Sequence, residues 1–283
     1  PKLDEFLVFR NRLADILSGL GFSELVTYSF ISEELISKLS FPENDPHYNV
    51  VKIKNPLSEE QAVMRTTLLP GLLETVRRNI YRKNEDLRLF ELSRVFYPQE
   101  AGKLPSEPYF LVGAMAGSSE ATLLYDREKV VDFYEIKGVL EAVFDTLKLT
   151  PRFLSENIPP YFDKAEAASV RVGKKVIGYV GLLHPEVAED FGIKVPVYLF
   201  ELSVEQLYDI SRVAIEFKPL PKFPFVTRDL AVVVEKDIPA QAIIDSLLEA
   251  NEPLLESVAI FDVYEGKKLK PNERSIGYRI TYR

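Results

Sequence analysis

The sequence predicts an α+β fold: a mostly antiparallel sheet with flanking helices, followed by a small, separate βαββ unit. Three observations carry that reading. Strand-like runs follow one another with helical patterns between them, but without the regular strand–helix–strand alternation of a doubly wound sheet. The stretch from Asn55 to Tyr97 holds a strand end, a capped helix start, an internal stop, a second helix and a strand. Pro219, Pro221 and Pro224 then stiffen an extended segment, which suits a junction between domains. The expected division is residues 1–210, a Pro-rich linker at 211–224, and a small domain at 225–283.

Each element has its own signal. Leu3, Phe6, Leu7, Leu13, Ile16, Leu17 and Leu20 give a helix with a broad apolar face, Phe9 lies beside the stripe, and Gly21 ends it. Leu25–Ser29 and Val50–Lys54 read as strands. Ser58 and Gln61 stand at capping-box spacing, so the hydroxyl and the amide can each satisfy a free N–H of a first helical turn. Pro70 and Gly71 interrupt that run, and proline suits the first turn of a new helix because its missing N–H has no partner to lose. Leu72, Leu73, Val76 and Ile80 recur on one face of that helix, and Leu87–Phe96 follows as a strand. Tyr109–Ala116 is another strand. Ile136, Val139, Leu140, Val143, Phe144 and Leu147 mark an amphipathic helix. Ser169–Leu183 reads as a hairpin turning at Gly173-Lys174, and Val197–Leu202 completes the sheet. The small domain comprises strand Arg228–Glu235, helix Pro239–Ala250, strand Glu256–Tyr264 and strand Ser275–Arg283. That is three quarters of a ferredoxin-like split βαβ unit, whose second helix and fourth strand do not follow.

Composition narrows the classes. Of 283 residues, 46% are apolar and 28% charged, values of an ordinary globular chain rather than a disordered one. No apolar run approaches the ~20 residues that cross a bilayer. The chain opens at Pro1, with neither initiator Met nor signal-like region, so an internal piece of a longer chain is expected. Cysteine is absent, which removes disulfides, thiolate metal sites and cysteine nucleophiles and fits a reducing, cytoplasmic setting. His47 and His184 lie far apart, His184 in a turn before Pro185, and no carboxylate spacing singles out a metal cage or an acid/base pair. A net charge of −8 argues against bulk nucleic-acid binding and leaves room for local RNA contacts. Arg77, Arg78, Arg82, Lys83 and Arg88 form the densest positive patch, for which a solvated face is the default reading ahead of an RNA or subunit contact.

The phrases NPLSEE, MRTTLLPGLLETVRRN and LFELSRVF within Asn55–Tyr97 resemble the β subunits of bacterial phenylalanyl-tRNA synthetases. So do GLGFSELVTYSF from Gly19, VIGYVGLLHPEV from Val176, FPFVTRDLAVVV, and FDVYEG near the C-terminus. Together they tile almost the whole chain in the family's order. The resemblance implies a class II synthetase-like module followed by an anticodon-binding domain. It also implies an α subunit as partner in an α2β2 tetramer, tRNA(Phe) as ligand, and ATP and Mg2+ as cofactors of the holoenzyme. The apolar face of the first helix must pack on the domain's own sheet in any case; in such synthetases that helix also meets its counterparts at the subunit interface, which makes Leu13 and Leu17 candidate interface residues here.

No catalytic, cofactor or metal residue is expected in this chain. A class II site needs an Arg and an acidic residue two apart on a strand, facing the nucleotide together. The nearest candidates, Arg88 and Glu91, are three apart and project to opposite faces. No clustered glycines precede an arginine, and the loop at Tyr161–Ala168 reads YFDKAEAA, without the His-Pro-Gly that the family usually shows near Asp163.

The sharper candidates lie near the C-terminus. A period of two puts Val258, Ile260, Asp262 and Tyr264 on one face, with Ala259, Phe261 and Val263 on the other. In the last strand Ser275, Gly277, Arg279 and Thr281 share a face opposite Ile276, Tyr278, Ile280 and Tyr282. With the apolar sets turned to the helix, Asp262, Tyr264, Ser275 and Arg279 converge on the open sheet face. An exposed Tyr can stack a base and a carboxylate can accept from guanine; equally, Asp262 and Tyr264 can simply end a strand before the Glu265-Gly266 turn. The resemblance implies that the Asp and Tyr of the FDVY strand and the Ser of the next contact the first anticodon base. Two other functions stay open from the residues: a self-sufficient class II ligase, and a protein-interaction module with no RNA role.

Overall fold

A computed structural model describes residues 4–100, 102–118, 130–212, 223–250, 252–266 and 268–283. They form two compact units, Pro1–Ile215 and Glu216–Arg283. Residues 213–222 lie outside the described residues, so most of the expected linker at 211–224 does too.

The first unit opens with helix α1 (Glu5–Gly19), whose N-cap Asp4 accepts from the Phe6 N–H at 3.0 Å, as a short carboxylate does at a helix start. Gly21 ends it at φ +87. Gly21 N donates to Ser18 O and Phe22 N to Leu17 O, both at 3.0 Å, a Schellman closure that needs a left-handed residue at that point. Short strands β1 (Ser23–Glu24) and β2 (Phe30–Ile31) follow, then α2 (Glu33–Ser37), β3 (Val63–Met64), α3 (Leu69–Tyr81), β4 (Leu87–Arg94) and β5 (Tyr109–Ala116). After them come α4 (Phe133–Thr146), β6 (Pro151–Leu154), β7 (Phe162–Val172), β8 (Lys175–Leu183), α5 (Pro185–Asp190), β9 (Val197–Ser203) and α6 (Val204–Ser211). Seven strands form one sheet in the order β1-β4-β5-β9-β8-β7-β6. Its β1–β4 pair is parallel and the others antiparallel.

Two cores flank this sheet. One takes Leu87, Leu89, Val112, Ala114 and Leu199 from the strands, Ile36 from α2, and Leu69, Leu72, Leu73 and Val76 from α3. The other takes Phe90, Leu111, Met115, Phe200 and Leu202, covered by Leu13 and Leu17 of α1, Leu140 and Phe144 of α4, and Leu207 of α6. Pro70 sits in the first turn of α3, as its chemistry requires. The β7–β8 hairpin turns at Gly173 (φ +60) and Lys174.

Several expectations are corrected. Leu25–Ser29 is no strand: it runs extended between β1 and β2, held by Leu25 N to Phe90 O (2.7 Å) and Arg65 N to Ser29 O (2.9 Å). Val50–Lys54 makes an isolated bridge, Lys52 to Val63. Ser58 makes no capping bond, and the run it opens is a single 3-10 turn, Glu59–Gln61. That turn is too short to leave the free amides a capping box serves, because the chain must extend at once into β3. The short α2, β6, α5 and α6 carry too few residues for their periodicity to register.

The second unit comprises β10 (Val226–Glu235), α7 (Ala240–Glu249), β11 (Leu255–Tyr264) and β12 (Glu273–Tyr282), with antiparallel order β10-β12-β11. Ile276, Tyr278 and Ile280 of the central strand are buried, and the Tyr278 hydroxyl donates to Ala240 O of α7 at 3.1 Å. These contacts place the helix on one face and leave the other open.

Candidate functional site

The open face of the second unit is shaped by one irregularity. Ile260 pairs with Tyr278 and Asp262 with Gly277, so Phe261 is an extra residue in β11. A bulge of this kind rotates every later side chain relative to the earlier ones. Strict alternation would have left Asp262 and Tyr264 beside Val258 and Ile260. Instead Val258 and Ile260 pair with Ile280 and Tyr278 on the helix side, whereas Asp262 and Tyr264 pair with Gly277 and Ser275 on the open side. The expected convergence of Asp262, Tyr264, Ser275 and Arg279 is present, and the bulge, not the period of two, produces it.

Arg279 stands opposite Asp229 of β10 and donates to it through Nε and NH2, both at 2.8 Å. Those bonds hold the Asp229 carboxyl below its ordinary range and raise the guanidinium. The guanidinium carbon lies 5.0 Å from the centroid of the Phe261 ring. The Tyr264 ring folds over Gly266, where a Cβ would collide with it. Phe261 and Tyr264 are 50% and 43% exposed, so two aromatic rings stand on this face with free surface. Sequence reasoning missed Phe261, since period two assigned it to the other side.

In the first unit Arg88 and Glu91 do project to opposite faces of β4. Glu91 lies on the α3 side and is buried, while the Arg88 chain runs towards Gly21 at the end of α1. The partner of Glu91 is Arg65, at 2.8 Å. Arg65 also donates to Thr27 Oγ1 (2.9 Å), Ser93 Oγ (2.7 Å) and Arg94 O (3.0 Å), and Thr27 Oγ1 donates to Glu91 Oε2 at 2.7 Å. Beside it on the sheet, buried Glu201 accepts from Thr67 Oγ1 and from the Tyr161 hydroxyl, each at 2.8 Å. Burial, reinforced by Glu201, pushes the Tyr161 hydroxyl well above its ordinary pKa. Arg65, Glu91 and Glu201 are thus engaged with the protein itself, and Tyr161 fills the space above the strands. These residues do not fit a nucleotide. Among the described residues no group of three or more His, Asp or Glu could hold a metal ion.

The remaining candidates fall as follows. Leu13 and Leu17 are wholly buried in the unit's own core, which is the contact of α1 with its own sheet expected beside any subunit role. Along the extended segment after α1, Val26, Tyr28 and Phe30 point outward and are exposed at 93%, 75% and 43%. Arg77, Arg78, Arg82 and Lys83 lie exposed on the outer side of α3 and just beyond it, with Arg77 3.6 Å from Glu74; Arg88 lies apart from them. His47 stacks on Phe41 (4.2 Å) and approaches Asp45 at 2.6 Å, and His184 caps α5 by accepting from Glu186 N at 3.3 Å.

Comparison with known proteins matches both units. Residues 1–204 match the phenylalanyl tRNA synthetase beta chain CLM domain, and residues 221–283 match the ferredoxin-fold anticodon binding domain. The chain belongs to the phenylalanyl-tRNA synthetase β-chain family. It is 38% identical over 274 residues to the phenylalanine–tRNA ligase beta subunit of Geobacter metallireducens, covering 96% of this chain and 34% of that one. It is 36% identical over 281 residues to that of Syntrophus aciditrophicus, covering 99% and 35%. The chain therefore spans about a third of the length of these curated relatives. Among solved structures, the pyrrolysyl-tRNA synthetase of Desulfitobacterium hafniense aligns with a TM-score of 0.54 at 19% identity, over 72% of this chain and 68% of that one. That likeness shows the class II synthetase fold alone.

Proposed function

We propose that this chain is the part of a phenylalanine–tRNA ligase β subunit that scaffolds the catalytic α subunit and reads the anticodon of tRNA(Phe). On this reading it serves a cytoplasmic α2β2 enzyme that attaches phenylalanine to its tRNA, with ATP and Mg2+ bound by the α subunit. The observation that carries it is the convergence of Asp262, Tyr264 and Ser275 on the open face of the small sheet. Tyr264 offers a ring for base stacking, Asp262 a carboxylate for the Watson–Crick edge of guanine at the first anticodon position, and Ser275 a hydroxyl beside both. Arg279 completes the face. A self-sufficient ligase is disfavoured, since the polar groups of the synthetase-like face already satisfy one another. For the subunit contact, Val26, Tyr28 and Phe30 offer apolar surface, and α1, packed on its own sheet through Leu13 and Leu17, is the helix that the family resemblance puts at such an interface.

The test is tRNA affinity of the full-length subunit in complex with its partner, using native and first-base-substituted anticodons. Tyr264→Ala is expected to weaken binding by about 1–3 kcal/mol, the range for base–aromatic stacking. Asp262→Ala is expected to relax discrimination against a changed first base. Undiminished preference for guanine in Asp262→Ala would overturn the assignment.

A further inference from the structure

Three strands contribute one side chain each to a row crossing the open face: Asp229 from β10, Arg279 from β12 and Phe261 from β11. Phe261 sits at the bulge and leans over bare backbone. A Cβ on Gly277 would stand 2.9 Å from its Cζ and 3.2 Å from the Asp262 Cβ, so glycine is what lets the ring lie down there. The Arg279 guanidinium is oriented twice over, by two hydrogen bonds to Asp229 and by the ring beneath it. Its charge is largely matched by the carboxylate, which leaves it suited to stacking rather than to gripping a phosphate. Half of the Phe261 surface and half of the Arg279 side chain remain exposed.

We propose that Phe261 and Arg279 form a second stacking platform on this face, which takes an unpaired nucleobase of the same RNA loop whose first anticodon base lies on Tyr264. This rests on the anticodon-reading proposal. Its physical basis is independent: arginine planes and aromatic rings both accept bases regardless of identity, and the bulge turns two rings of one strand onto the same face. The platform adds affinity and fixes the path of the loop, while Asp262 reads the base beside it.

The probe is an anticodon stem-loop carrying 2-aminopurine at one loop position at a time, bound to the full-length subunit in complex with its partner. Stacking quenches this base. Wild type is expected to quench two positions. Phe261→Leu, which keeps apolar volume without a ring, should restore fluorescence at one of them and weaken binding on the order of tenfold. Quenching at the other position, lost only in Tyr264→Ala, reports that the sheet is intact. Arg279→Met, a change at an exposed side chain, is the second variant and should weaken the Phe261 position alone, with the salt dependence of affinity unchanged because no phosphate contact is lost. If both variants left quenching as in wild type while Tyr264→Ala abolished its own, the platform would be wrong and the anticodon reading would stand. A steeper or shallower salt slope in Arg279→Met would also overturn it, by making Arg279 a phosphate ligand. If wild type quenched no position and bound a scrambled loop equally well, both proposals would fall.

Discussion

Arg65 concentrates the polar energetics of the first unit in one side chain. Its guanidinium and the Glu91 carboxylate are 3% and 1% exposed, so both have lost nearly all hydration. Their mutual attraction and the bonds to Thr27, Ser93 and Arg94 must offset that loss. Removing one partner strands the other as a buried charge, which costs about 3–5 kcal/mol, whereas replacing both by apolar groups of similar volume is often close to neutral. Arg65→Met is therefore expected to lower the urea midpoint of the first unit sharply, and Arg65→Met with Glu91→Leu to recover most of the loss. Equal destabilisation of single and double variants would mean that the hydroxyl and carbonyl contacts dominate, not the charge pair. Glu91 invites comparison with Arg88, its near neighbour in the chain. Arg65 lies 26 positions away, and nothing local connects the two.

At the scale of elements, helix α3 illustrates how a legible start can hide its constraint. Pro70 announces the first turn, and Gly71 next to it looks like an ordinary interruption. In the fold, a Cβ at Gly71 would stand 2.6 Å from the Thr27 hydroxyl and 3.0 Å from its Cβ. Glycine to alanine in a helix ordinarily gains up to about 1 kcal/mol. Here Gly71→Ala is expected to destabilise instead, because Thr27 must leave its bonds to Arg65 and Glu91. Chemical denaturation checks the sign, and a more stable variant would show that Thr27 can shift without cost. The bulge in β11 is the same lesson for a strand. One extra residue, set by pairing with β12, decides which side chains meet the open face.

At the scale of the whole molecule the chain divides into two compact units. For the first, one strip of exposed apolar side chains follows α1: Val26, Tyr28 and Phe30 alternate outward, while Leu25 and Thr27 alternate inward to the core and the Arg65 cluster. On the proposed scaffolding role, a charge on this strip is expected to stop association with the α subunit and spare the fold. Val26→Asp with Tyr28→Ser should give a folded β subunit that no longer forms the complex, as complex mass would show. Leu13→Ala should act the other way, lowering stability by about 2–5 kcal/mol through a core cavity and affecting association only as far as unfolding does. A folded Val26→Asp, Tyr28→Ser variant that still assembled would remove the strip from the interface.

The sequence by itself determined the α+β class, the helices with four or more apolar positions on one face, the hairpin at Gly173-Lys174 and the βαββ unit. All of these follow from local periodicity and turn chemistry, which short-range interactions enforce. It also carried the family, because that resemblance lies in the order of residues. The tertiary structure alone showed that Leu13 and Leu17 are wholly buried within the unit, since an apolar stripe reads the same whether its own sheet, a partner or both cover it. It alone joined Arg65 to Glu91 and Tyr161 to Glu201, contacts between distant segments that leave no spacing in the chain. And it alone placed Phe261, Asp262 and Tyr264 on one face, because the register of a strand belongs to the pair of strands and not to either one.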